Sequence, residues 1–126
     1  MSLLLATLAI AAQAPPTTSL LGRWVNPDRS VIMIIEPCGG KLCGTVQWAS
    51  AKAKADARWG TPQLVGAQLL TGVKPVFDSR WQGKLLVPDE NVQTNARLDM
   101  IGPKQVKVSG CYIGNICKWQ VWTRME

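Results

Sequence analysis

The 126-residue chain has no histidine, one phenylalanine, one tyrosine, and no charged side chain before Arg23. Without an imidazole, the usual general base of triads and dyads is missing. Acid–base work would fall to Asp56, Asp78, Asp89 and Glu90, and hydrolysis of the glycosidase kind would need two of these to converge across a cleft. Asp89 and Glu90 follow Pro88 and precede Asn91, a turn composition that reads as a solvated loop tip. G-x-S-x-G, a Walker loop and C-x-x-C are absent as well, which removes the hydrolase elbow, the P-loop and a thioredoxin-like redox pair. The expectation is a protein that is not an enzyme and holds no cofactor, with a carboxylate-based hydrolase as an alternative.

No apolar run reaches the roughly 20 residues that a membrane-spanning helix needs. The longest, MSLLLATLAIAAQA at residues 1–14, is uncharged and ends in small residues. Ala9-Ile10-Ala11 forms an A-x-A site, and Pro15 hinders the second such site, so 1–14 reads as a signal peptide cut after Ala11. The alternative is an N-terminal helix packed on the domain. Residues 15–19 read as a linker and 20–126 as one domain, a length that supports a modest single core. The expected address is the periplasm or the medium.

What the chain does have is a period of two. In KLCGTVQW, Leu42, Val46 and Trp48 alternate with polar neighbours, and in VQTNARLDM so do Val92, Ala96, Leu98 and Met100. KQVKVSGCY repeats the pattern with Val106, Val108 and Tyr112. Only residues 50–58 look helical. Strands are expected at about 21–26, 30–37, 41–48, 66–72, 82–88, 92–101, 104–112 and 117–125, which argues for a closed or nearly closed all-β, antiparallel barrel of about eight strands. The expected inward set is Trp24, Met33, Ile35, Leu42, Val46, Trp48, Leu85, Val87, Leu98 and Val108.

Four cysteines fall in two pairs, Cys38 with Cys43 and Cys111 with Cys117. A two-residue type II′ turn at Gly40-Lys41 sets Cys38 opposite Cys43, both on the outer polar face. A three-residue loop at 113–115 sets Cys111 opposite Cys117, but parity then conflicts, because Cys117 shares a face with Trp119 and Val121, expected to be buried. A bulge would repair it. Two disulfides suit an exported protein. A four-thiolate zinc site is the competing reading, at odds with the wide C-x5-C spacing. No metal is expected.

The net charge of +6 and six tryptophans leave room for a nucleic-acid or anionic-polymer binder of the OB type. The basic residues, however, are scattered singly among acidic ones rather than gathered in a stripe, so no nucleic acid is expected. A small apolar or amphipathic ligand is the expected partner. Trp48, Trp59 and Trp81, placed near one barrel mouth, are the candidate contacts, with Arg58 and Arg80 beside two of them to favour an acidic head group. The bland alternative makes these tryptophans rim plugs.

Gly22-Arg23-Trp24, PCGGKLCGTVQW, LLTG at 69–72, RWQGKLLVPD at 80–89 and the closing VSGCYIGNICKWQVWTR together resemble the exported bacterial proteins of the domain-of-unknown-function 2147 family. The likeness covers roughly residues 20–124. It implies a lipocalin-like (calycin-type) barrel without established enzymatic activity. The chain departs from the family pattern at Leu86, Asn91 and Thr94, and has RWGTPQ at 58–63 in place of an Asp/Asn/Pro cluster. By analogy with lipocalins, Trp24 and Arg124 close one barrel end through a cation–π contact. The alternative is a core Trp24 and a solvated Arg124.

Overall fold

The computed structural model describes residues 19–112 and 115–125, so the expectations for the leader and most of the linker lie outside the described residues. Eight antiparallel strands run β1 (Gly22–Val25), β2 (Val31–Cys38), β3 (Lys41–Ala49), β4 (Gln68–Phe77), β5 (Arg80–Val87), β6 (Val92–Gly102), β7 (Gln105–Tyr112) and β8 (Ile116–Met125). One helix, α1 (Ala51–Ala57), lies between β3 and β4. Every strand pairs with its neighbours in sequence, and β1 also pairs with β8, closing the barrel. This up-and-down order differs from the five-stranded Greek key of an OB-fold, so the OB alternative is set aside.

Local chemistry explains the corners. Asn26 Oδ1 accepts from the backbone N–H groups of Ser30 and Val31, at 2.8 and 2.9 Å, and folds the β1–β2 loop. The Ser50 hydroxyl accepts from Ala53 N at 3.1 Å and caps α1. Lys52 and Asp56, one turn apart, pair at 2.8 Å along its open side, and Ala57 is the residue that α1 buries.

Three details correct the expectations. Cys38 aligns with Lys41, so the β2–β3 turn is Gly39-Gly40, not Gly40-Lys41. Both glycines have positive φ, 64° and 85°, the requirement of a type I′ turn. The Cys38–Cys43 disulfide is therefore diagonal, with 5.6 Å between Cα atoms, and Cys43, though on the outer face, is covered rather than exposed.

Second, Trp48 is 46 % exposed. Met33 aligns with Val46 but Ile32 with Trp48, so Gln47 is an extra residue on β3, and this bulge turns Trp48 outward while Ala49 goes in. Third, Cys111 faces Cys117 and is bonded to it, with the β7–β8 register unbroken. No bulge is needed because the expected inward face of β8 was the wrong one: Trp119 is exposed and Trp122 is buried.

The core fills the half of the barrel where the β2–β3, β4–β5 and β6–β7 turns lie. Trp24, Ile35, Val73, Leu98 and Val106 are essentially inaccessible there, with Trp81 beside them. Of the expected inward set, Met33, Val46 and Val108 are also buried, Leu42 and Leu85 pack against the core, and Val87 is half-buried.

Candidate functional site

The other half is hollow. A cavity of about 490 Å³ opens between the β1–β2 loop, α1 and the β5–β6 turn, a size within the roughly 300–1,000 Å³ of small-molecule sites. Its walls are mainly apolar: Val31, Met33, Leu69, Leu70, Leu85, Val87 and Val108, with Trp122 from β8. Strand alternation makes this lining, since Leu85 lies opposite Thr94 and Val108 opposite Gln120 on the inner face. Polar groups enter from one side, where β8 contributes Lys118 and Gln120. Thr94 spends its hydroxyl proton on the Cys111 carbonyl.

The rim carries Asn26, Ser30, Asp56, Asp89 and Glu90. Asp89 has its pKa raised, first by loss of hydration and then by the negative charges of Asp56 and Glu90. Asp56 is neutralised in part by Lys52, whose pKa it raises through their hydrogen bond. Beside the rim, the segment after α1 is strapped to the β5–β6 turn. The Thr61 hydroxyl donates to the Pro88 carbonyl at 2.7 Å, and a Cβ on Gly60 would fall 2.5 Å from the carbonyl oxygens of both Pro88 and Asp89.

The opposite end is shut. Arg124 lies over the Trp24 ring, its guanidinium carbon 4.3 Å from the centroid, because β1 and β8 set the two residues side by side. Its two terminal nitrogens donate to the carbonyls of Leu21 and Ser19, both at 2.8 Å, and the Trp24 indole donates to Leu20 at 2.9 Å. Residues 19–21 are thus tied to the base of the barrel, with Leu20 buried.

The five residues expected to touch a ligand are not gathered at one mouth. Trp48 faces outward. Trp59 is 84 % exposed, with Arg58 stacked on it at 5.1 Å beyond the end of α1. Trp81 is buried against the core at the closed end, and Arg80 beside it is held by Asp99 at 2.6 Å. None of the five lines the cavity. Trp81 was misplaced because β5 starts at Arg80, two residues before the expected start, which puts Trp81 inside a strand on its inner face. Among the described residues no group of three or more Cys, Asp or Glu side chains is placed to hold a metal ion.

The model of the family described as "Uncharacterized protein conserved in bacteria (DUF2147)" matches residues 22–124. The chain belongs to this family. No curated protein matches it. A solved structure similar to this DUF2147 chain is "Protein HP1028 from the human pathogen Helicobacter pylori belongs to the lipocalin family", with 14 % identity, a TM-score of 0.66, and 86 % of this chain and 84 % of that one covered. At that identity the likeness concerns the fold, and the fold is lipocalin-like. The cysteine motifs that mark the DUF2147 chain in sequence occupy two hairpins, β2–β3 and β7–β8, each stapled by its own disulfide.

Lys118, Gln120 and Trp122 were missed. The signal was present as K-W-Q-V-W, in which either alternating set reads plausibly as the buried one. The parity of Cys111 on the facing strand was the clue: a cystine partner belongs on the same outer face, which sets Lys118, Gln120 and Trp122 on the inner face, the first two open to solvent and Trp122 buried.

Proposed function

We propose that this DUF2147 protein is an exported, non-catalytic carrier or sensor domain that takes a small apolar or amphipathic ligand into the barrel lumen. The observation that carries the reading is the open, predominantly apolar cavity above a tightly packed base. A folded chain ordinarily fills such space, because an apolar void forfeits packing energy at about 24 cal/mol per Å³. A cavity of this size therefore suits a guest. Two disulfides are consistent with an oxidising address, the periplasm or the medium.

The test uses the inward indoles as reporters, Trp122 at the cavity wall among them. A neutral apolar fluorophore such as N-phenyl-1-naphthylamine should bind saturably, one per barrel, and quench tryptophan emission by energy transfer. Absence of saturable binding by neutral, anionic and cationic amphiphiles alike would leave a purely structural role.

A second reading has one observation in its favour. Asp56, Asp89 and Glu90 share the cavity rim, and a carboxyl of raised pKa beside further carboxyl groups is an arrangement that glycoside chemistry uses. The ion pair to Lys52 and the open setting of these groups favour solvated rim charge instead. Asp89→Asn separates the readings: ligand uptake persists in a binder, whereas turnover of any glycoside substrate would be lost.

A further inference from the structure

We infer that the lumen is built for a single anionic head group, a monocarboxylate with an apolar tail, and that Lys118 and Gln120 receive it. The inference rests on the lumen-binding reading and adds the chemistry of the polar wall.

Lys118 and Gln120 alternate along β8 on the same face as buried Trp122. The Trp122 indole can only donate, and it donates to Gln120 Oε1 at 3.2 Å. That bond fixes the amide: its oxygen is engaged by the indole, and its NH₂ group is left to donate. Among the described residues the Lys118 ammonium has no hydrogen bond and no ion pair. The free groups of this wall are therefore an ammonium and an amide NH₂, both donors. Their complement is a group that only accepts, and an ionised carboxylate is the compact anion of that kind.

Position orders the ligand. β8 enters from the open end at Ile116, and Lys118 precedes Gln120 and Trp122 on the way to Arg124 at the closed base. The head group thus sits in the upper lumen and the tail descends toward Leu70, Leu85, Val108 and Met33. The rim opposes a second negative charge, since Asp56 and Glu90 already act against the charge of Asp89 there. A dianion or a polyphosphate is therefore disfavoured, as is an amphiphile whose anionic group stays at the rim. Arg58 and Arg80, the cations suggested by sequence, lie outside the cavity.

The experiment compares decanoate, 1-decanol and decylamine by titration calorimetry on the full, disulfide-bonded chain. Decanoate should bind about tenfold to a hundredfold more tightly than decanol, the value of a charge-assisted hydrogen bond. Lys118→Met should bring decanoate to the level of decanol with decanol unchanged, and Lys118→Arg should keep the preference. Should decanol match decanoate in the wild-type chain, or decylamine exceed both, the lumen reading stands and the head-group assignment falls. Preference for decanoate retained in Lys118→Met would overturn it as well. No binding of any of the three removes both. The wild-type comparison decides even where a variant does not fold.

Discussion

Arg124 joins several parts of the base of the barrel. It covers the Trp24 ring and holds the carbonyls of Ser19 and Leu21. Methionine keeps the hydrophobic stem and loses the charge, so Arg124→Met should lower stability by about 2 kcal/mol, the sum expected for one cation–π contact and charged hydrogen bonds of partial exposure. Urea unfolding followed by tryptophan fluorescence measures it, and faster hydrogen exchange at residues 20–22 should accompany the loss. Asp89 supplies a second residue-scale prediction. Its folded pKa lies above its ordinary 3.8, through desolvation and then through Asp56 and Glu90. The folded state therefore binds the proton more tightly than the unfolded chain does. Ionising it works against the fold, so this group's contribution to stability falls as pH rises from 3.8 through the raised value. Asp89→Asn should match the wild type in strong acid and exceed it in urea midpoint at neutral pH. An equal gap at both pH values would count against the assignment.

At the scale of elements, strand existence was legible in the sequence because the period-two pattern is a direct imprint of one buried face. Two things hid from it. A single extra residue, Gln47, reverses the parity of β3, so Trp48 left the core. On β8, K-W-Q-V-W alternates large groups on both faces, and the cystine at Cys117 settles the choice only once its partner's face is known. The two disulfides each close a short hairpin loop. Replacing Cys38 and Cys43 together by serine should cost about 2 kcal/mol by loop entropy, with the Gly39-Gly40 turn still in place, as read from the urea midpoint. The strap over the β5–β6 turn makes a sharper case. A methyl at Gly60 meets two backbone oxygens, neither of which can rotate away. Gly60→Ala should therefore lower the melting temperature by the equivalent of about 1–3 kcal/mol. Thr61→Val, which deletes only the bond to Pro88, should cost about 1 kcal/mol. Calorimetry that ranked the two the other way would show that the strap yields more easily than its geometry implies.

The whole molecule is a barrel with two unlike halves, and that division, unlike the barrel itself, was invisible in the sequence. Inward positions can be read from alternation; whether the side chains there meet across the axis depends on barrel width and on which strands face one another. In the closed half they meet. Ala96 is buried in the packed core, and the residues aligned with it across the sheet are Gly83, where a Cβ would already meet Val73 at 2.8 Å, and Gly110, which borders the cavity. In the open half they do not meet, and Leu85, two residues from Gly83 on the same face, borders the cavity. The same kind of enlargement should then have opposite consequences two positions apart. Ala96→Leu forces extra methylenes into filled space and should destabilise by about 1–3 kcal/mol. Leu85→Phe adds volume where there is room, so its unfolding midpoint should stay within about 1 kcal/mol of the wild type while decanoate and N-phenyl-1-naphthylamine bind at least tenfold more weakly. Equal destabilisation by both would mean that the upper lumen is as tightly packed as the base. A Leu85→Phe chain that kept full affinity for both compounds would place their site outside the barrel.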